Sequence, residues 1–78
     1  MKLSDLPKSQ MAIITKIDLT QIEVTERLSD FGLQIGQTIV CVESSPFGGP
    51  KAFRLSHGIF ALDKEISDNI EIRKESIS

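Results

Sequence analysis

Apolar positions along this chain recur with two different periods, and the switch between them marks out its elements. Met11 to Ile17 alternates Met11, Ile13 and Ile17 on one side with Ala12, Ile14 and Lys16 on the other. That is the period of a strand, and being apolar on both faces in its middle it belongs at the centre of a sheet. From Val24 the period lengthens. Val24, Leu28 and Phe31 fall at i, i+4 and i+7 while Glu23, Glu26, Arg27 and Asp30 lie elsewhere, which predicts a helix with one buried stripe. Thr20 and Glu23 have the spacing of a capping box, so the helix is expected to begin there. Gly32 suits the left-handed residue that ends a helix and places Leu33 to pack back on Leu28 in a Schellman motif. Gln34-Ile35-Gly36-Gln37 then suits a type II turn, with glycine where positive φ is required.

The strand period returns in Gln37 to Glu43, rich in the β-branched residues Thr38, Ile39, Val40 and Val42. It returns again in Lys51 to His57, with Phe53 and Leu55 in phase and Arg54 and Ser56 opposite. After a turn at Gly58, Phe60 and Leu62 supply a fourth strand. Asp63 is placed to cap one helical turn, Lys64 to Asp68, that buries Ile66, with Asn69 stopping it in the left-handed conformation. Ile70 and Ile72 give a fifth strand. At the other end Leu3, Leu6 and Pro7 form an apolar lead-in that plugs the core, with Ser4 capping a single turn. Residues 74–78, where only Ile77 is apolar, are expected to fray. Between the second and third strands SSPFGGP, Ser44 to Pro50, forces a loop with Phe47 at its tip. Phe47 either folds back over the core or stands out as a contact residue.

Five short strands separated by turn signals, with a helix inserted after the first, predict a mainly β fold with one or two short helices. The expected architecture is a small SH3-like five-stranded antiparallel barrel, one domain over residues 1–78, because closing the sheet removes aggregation-prone edges.

Composition narrows the function classes. The chain is 40% hydrophobic and 26% charged, ordinary for a soluble globular protein, and no apolar run approaches the ~20 residues of a membrane span. There is no signal-peptide pattern, and Cys41 alone forms no internal disulfide or C-x-x-C motif. The expectation is a cytoplasmic protein with no direct membrane insertion. A net charge of −2 speaks against nucleic acid as a partner.

Candidates for chemistry are few. His57 reads as a partly exposed structural histidine, or else as a weak metal-ligand candidate with nearby carboxylates. Cys41 shares its strand face with Ile39 and reads as a small buried hydrophobe. The carboxylates are scattered; Glu23 with Glu26 and Asp63 with Glu65 read as solvated charged faces. Gly48-Gly49-Pro50 lacks the Lys-Ser/Thr that completes a phosphate loop. The chain therefore reads as a binding module, not an enzyme, with no cofactor expected, and these patterns leave its partner unnamed.

The ordered motifs add a resemblance. Arg27-Leu28, Phe31-Gly32-Leu33, Ile35-Gly36, the apolar strand, Ser45-Pro46-Phe47-Gly48-Gly49-Pro50, Gly58 to Leu62 and Ile70-Glu71-Ile72 together resemble the FeoA family of ferrous iron transport proteins, over nearly the whole chain. The resemblance implies a small cytoplasmic SH3-like accessory or regulator of a FeoB-type membrane ferrous iron permease, whose amino-terminal domain binds GTP. Ile35 stands where the family often has Pro, and Ser9 where a Gly commonly precedes the first strand. Similar domains form the carboxy-terminal part of iron- and manganese-dependent repressors, so a small metal-binding or metal-sensing domain is the alternative reading. A protein of this kind is expected as a monomer or weak homo-oligomer. For the permease contact the expected residues are Phe47 with the charges Arg27, Lys51 and Arg54, an apolar anchor ringed by polar groups.

Overall fold

β1 (Met11–Ile17) lies inside the sheet as its two-sided apolar pattern requires, between β2 (Thr38–Glu43) and β5 (Ile70–Lys74). The computed structural model describes residues 1–45 and 47–75. Its other elements are a 3-10 turn at Leu3–Asp5, α1 (Ile22–Phe31), β3 (Lys51–Leu55), β4 (Gly58–Leu62) and α2 (Lys64–Ser67). All strand pairings are antiparallel, in the order β4-β3-β2-β1-β5. Register shifts between Ile14 and Lys16 in β1 and between Cys41 and Glu43 in β2 mark bulges, which bend those strands and let a short sheet wrap one core.

That core holds Phe53, Ile14, Ile39, Leu62, Ile70 and Cys41 with essentially no exposure, together with Leu3 and Leu6 of the amino-terminal lead-in. The lead-in plugs the core as expected, but Ser4 does not cap it: its hydroxyl donates to Asp68 instead. Among the described residues no ladder joins β4 to β5, so strand pairing does not close the sheet. Lys2 bridges Glu71 and the Ile72 N–H bonds Met1 O at 2.8 Å, covering part of β5, while Phe31 of α1 packs on Phe60 of β4 with ring centroids 5.4 Å apart.

The end of α1 follows the sequence closely. Gly32 has φ 69°, and the Leu33 N–H reaches Leu28 O at 3.1 Å, the long bond of a Schellman motif that buries Leu33. Gly36 has φ 95° in the turn that follows, where the Gln37 amide accepts from the Gln34 N–H at 2.9 Å and donates to Gly32 O at 3.0 Å. The start of α1 does not follow it. The cap residue is Gln21, without a side-chain cap bond. Asp18 Oδ1 has already taken the Thr20 N–H at 3.0 Å, and Thr25 Oγ1 donates to the carbonyls of Leu19 and Gln21, so Thr20 and Glu23 form no capping box.

Three smaller differences have local causes. β3 ends at Leu55 because Leu55 already pairs with Gly58, which makes Ser56 and His57 the turn. Asp63 caps α2 as expected, its Oδ1 accepting from the Ile66 N–H at 3.0 Å, but Asn69 is not left-handed; its side-chain amide donates to Glu65 O at 2.6 Å. Lys74 pairs with Ala12 at the end of β5, and Ile77 with the rest of the expected frayed end, 76–78, lies outside the described residues.

Candidate functional site

The loop between β2 and β3 carries the most exposed large apolar side chain among the described residues. Phe47 is 95% exposed, so of its two readings the structure takes the one in which it stands out. Glycine shapes the loop around it: Gly48 has φ 73°, and a Cβ on Gly49 would come within 2.9 Å of Ser45 Oγ. A phenylalanine held in water forgoes about 1.5–3 kcal/mol of burial free energy, which a partner surface could recover.

The three expected charges do not converge around it. Lys51 and Arg54 differ by an odd number of positions on β3 and so face opposite sides of the sheet. Lys51 turns to the amino-terminal plug, its Nζ donating to Ser4 O at 2.7 Å and Leu6 O at 3.2 Å, so it works as a clamp inside the molecule. Arg54 stands exposed on the outer face, level with Val40 on one side and Ile59 on the other, beside a shallow cleft of about 330 Å³. Arg27 lies over the Phe31 ring, 5.8 Å from its centroid, within cation-π range. Of the four expected contact residues Phe47, Arg27 and Arg54 are exposed, and neither arginine has an internal polar partner among the described residues.

His57 has an internal task. Its Nε2 lies 2.8 Å from Phe31 O, and since a carbonyl only accepts, Nε2 carries the proton and donates. The ring also packs against Phe60 at 5.1 Å between centroids and above Gly32. Among the described residues no group of three or more His, Cys, Asp or Glu side chains is close enough together to hold a metal ion. Cys41 is fully buried on β2, and that burial pushes its thiol pKa up, away from the reactive thiolate.

A cleft of about 570 Å³ lies where Lys16 to Thr20 meets Lys2, Asp68 and Glu71. Two of its three acids, Asp18 and Asp68, already have partners. Backbone and hydroxyl bonds from Thr20 hold the Asp18 carboxyl below the usual carboxylate range, and Lys64 and then Ser4 do the same for Asp68. Leu19 and Ile22, 60% and 74% exposed at the start of α1, are among the exposed apolar residues that were not expected. The signal was available in the sequence, because neither falls on the Val24–Leu28–Phe31 stripe.

A family model described as FeoA domain matches residues 1–74. No curated protein matches the chain. Among solved structures, an iron uptake regulatory protein (FeoA) is similar with a TM-score of 0.84 and 28% identity, over 96% of this chain and 97% of that one. Stenotrophomonas maltophilia FeoA complexed with zinc, described as a unique procaryotic SH3 domain protein, is similar at a TM-score of 0.79 and 22% identity, over 94% and 89% of the two chains. A manganese-dependent transcriptional repressor shares the fold at 0.88 with 10% identity, over 96% of this chain and 36% of its own.

Proposed function

The chain belongs to the FeoA domain family, and from that membership we propose that it is a cytoplasmic accessory protein of ferrous iron transport that docks on a FeoB-type membrane permease. It acts there as a binding module, by protein-protein contact and not by catalysis. The observation that carries this reading is Phe47, held 95% exposed at the tip of a loop that glycines shape. An exposed aromatic is a residue type enriched in protein interfaces. Arg54, exposed on the outer face of β3, and Arg27, exposed on α1, supply polar contacts, while Lys51 also holds the amino-terminal carbonyls.

Titration calorimetry of the purified chain against the cytoplasmic domain of the permease from the same source, with and without a GTP analogue, tests the proposal. Saturable binding supports it and shows whether nucleotide gates the contact. If Phe47→Ala and Arg54→Glu both bind as tightly as wild type with folding unchanged, this surface is not the one used. The metal-sensing reading has less support, because the Nε2 of His57 is engaged with Phe31 O. Equilibrium dialysis against ferrous iron and zinc checks it directly.

A further inference from the structure

At about 100° per residue α1 divides into three sectors. Val24 and Leu28 are buried, with Phe31 partly so; Glu23, Glu26, Arg27 and Asp30 form a charged, exposed sector. The third sector, Ile22, Thr25 and Ser29, is uncharged, and it borders a groove of about 220 Å³ in which Thr25, Ser29 and Gly32 face Ile17, Leu19 and Leu33. None of the groove's lining residues is charged, in a chain where 26% of residues are. Of the exposed large apolar residues Leu19 lines it, and Ile22 shares the α1 sector of Thr25 and Ser29.

Charge along the rim identifies the occupant. On the helix, Glu26 and Asp30 flank the uncharged sector, and neither has an ion-pair partner among the described residues. An uncharged groove edged by the exposed Leu19, with an unpaired acidic border, is complementary to an apolar segment ending in lysine or arginine. Thr25 and Ser29, one turn apart on α1, have side chains small enough for a second helix backbone to come close. We infer that this groove takes an apolar helical segment with a basic end, the composition that membrane-spanning helices carry where they emerge on the cytoplasmic side. This deepens the permease reading and rests on it for the identity of the partner, not for the chemistry of the groove.

The test uses a peptide of about a dozen residues, leucines at helical spacing followed by Lys-Arg-Lys, and the same peptide ending in Glu-Asp-Glu. Titrated into the ¹⁵N-labelled chain, the basic peptide should bind saturably and shift the amides of Leu19, Ile22, Thr25, Ser29 and Gln34. The acidic-ended peptide should bind about tenfold more weakly, as should the basic one to the Glu26→Lys, Asp30→Lys double variant. Ser29→Arg, at an exposed position, should block the groove while leaving the circular dichroism spectrum unchanged. Equal affinity for the two peptides, shifts centred on residues 44–50, or no saturable binding would each overturn the inference. So would concentration-dependent self-association abolished by Ser29→Arg without peptide binding, which would give the groove to a second copy. If the peptide binds but the permease's cytoplasmic regions do not displace it or bind elsewhere, the groove stands and the permease reading falls. If the permease binds wild type and Ser29→Arg alike, the permease reading stands and the groove is not its site.

Discussion

His57, in the turn between β3 and β4, donates from Nε2 to the backbone carbonyl of Phe31 at 2.8 Å, closing the carboxy-terminal end of α1. A carbonyl in the last turn of a helix has no partner within the helix, and the imidazole supplies one. His57→Ala is therefore expected to destabilise the fold by about 1–2 kcal/mol, read as a lower urea midpoint with an unchanged slope. A variant as stable as wild type would show that water replaces the imidazole without loss.

Ser9 has φ 71° and is the one non-glycine residue in the left-handed region among those described; its N–H bonds Cys41 O at 2.7 Å. A side chain there costs roughly 1–2 kcal/mol, partly offset because glycine adds freedom to the unfolded chain. Ser9→Gly is expected to raise stability by about 0.5–1 kcal/mol, and Ser9→Val to lower it. Thermal or urea unfolding of the pair decides the sign.

Lys51 ties residues 45 and 47 positions earlier through the carbonyls of Leu6 and Ser4. Lys51→Met keeps most of the apolar stem and removes both charge-assisted bonds, so it should destabilise by about 1–2 kcal/mol, discounted for partial exposure. It should also speed proteolytic cleavage before β1, which Arg54→Met, on the opposite face, should not do.

Asp68 receives Lys64 Nζ at 2.7 Å as well as the Ser4 hydroxyl, and together they hold its carboxyl below the ordinary range. A depressed folded-state pKa contributes stability that is present above the unfolded value and is lost as pH falls through the folded one. The loss thus lies at acid pH, below the normal carboxylate range. Lys64 is raised by the same contact, so its share is present at neutral pH and fades only above the normal lysine range. Asp68→Asn should flatten the acid limb of a stability-pH curve measured by urea unfolding.

Phe47→Ala should leave the unfolding free energy within about 0.5 kcal/mol of wild type, because the ring is 95% exposed. If Phe47 anchors the permease contact, the same change should weaken binding by about tenfold or more. Calorimetry and urea unfolding on one sample separate the two effects.

Much of the local structure was legible in the sequence. The limits of β1, the glycine stop at Gly32, the Leu33 return to Leu28, the Gly36 turn and the Asp63 cap depend on residues within about six positions of one another. The start of α1 was misread although it too is local. Two signals competed for Thr20, and the Asp18 side chain took its N–H.

The candidate site was legible only in part. An aromatic flanked by Pro46 and Gly48 had two readings, and burial alone chooses between them; the folded chain leaves Phe47 outside. Both Lys51 and Arg54 were expected beside Phe47, but three positions apart on one strand they face opposite sides of the sheet, and Lys51 is drawn into the molecule.

By itself the sequence determined the element order, the central strand, the chain reversals and the family, because strand and helix periods, glycine conformations and short-range hydrogen bonds are properties of neighbouring residues. Tertiary structure alone decided that Lys51 clamps the amino-terminal plug, that His57 closes α1 and that α1 leaves an uncharged groove beside Leu19. Those roles depend on which unsatisfied carbonyl or unfilled surface a distant element brings within reach, and spacing along the chain carries no record of that.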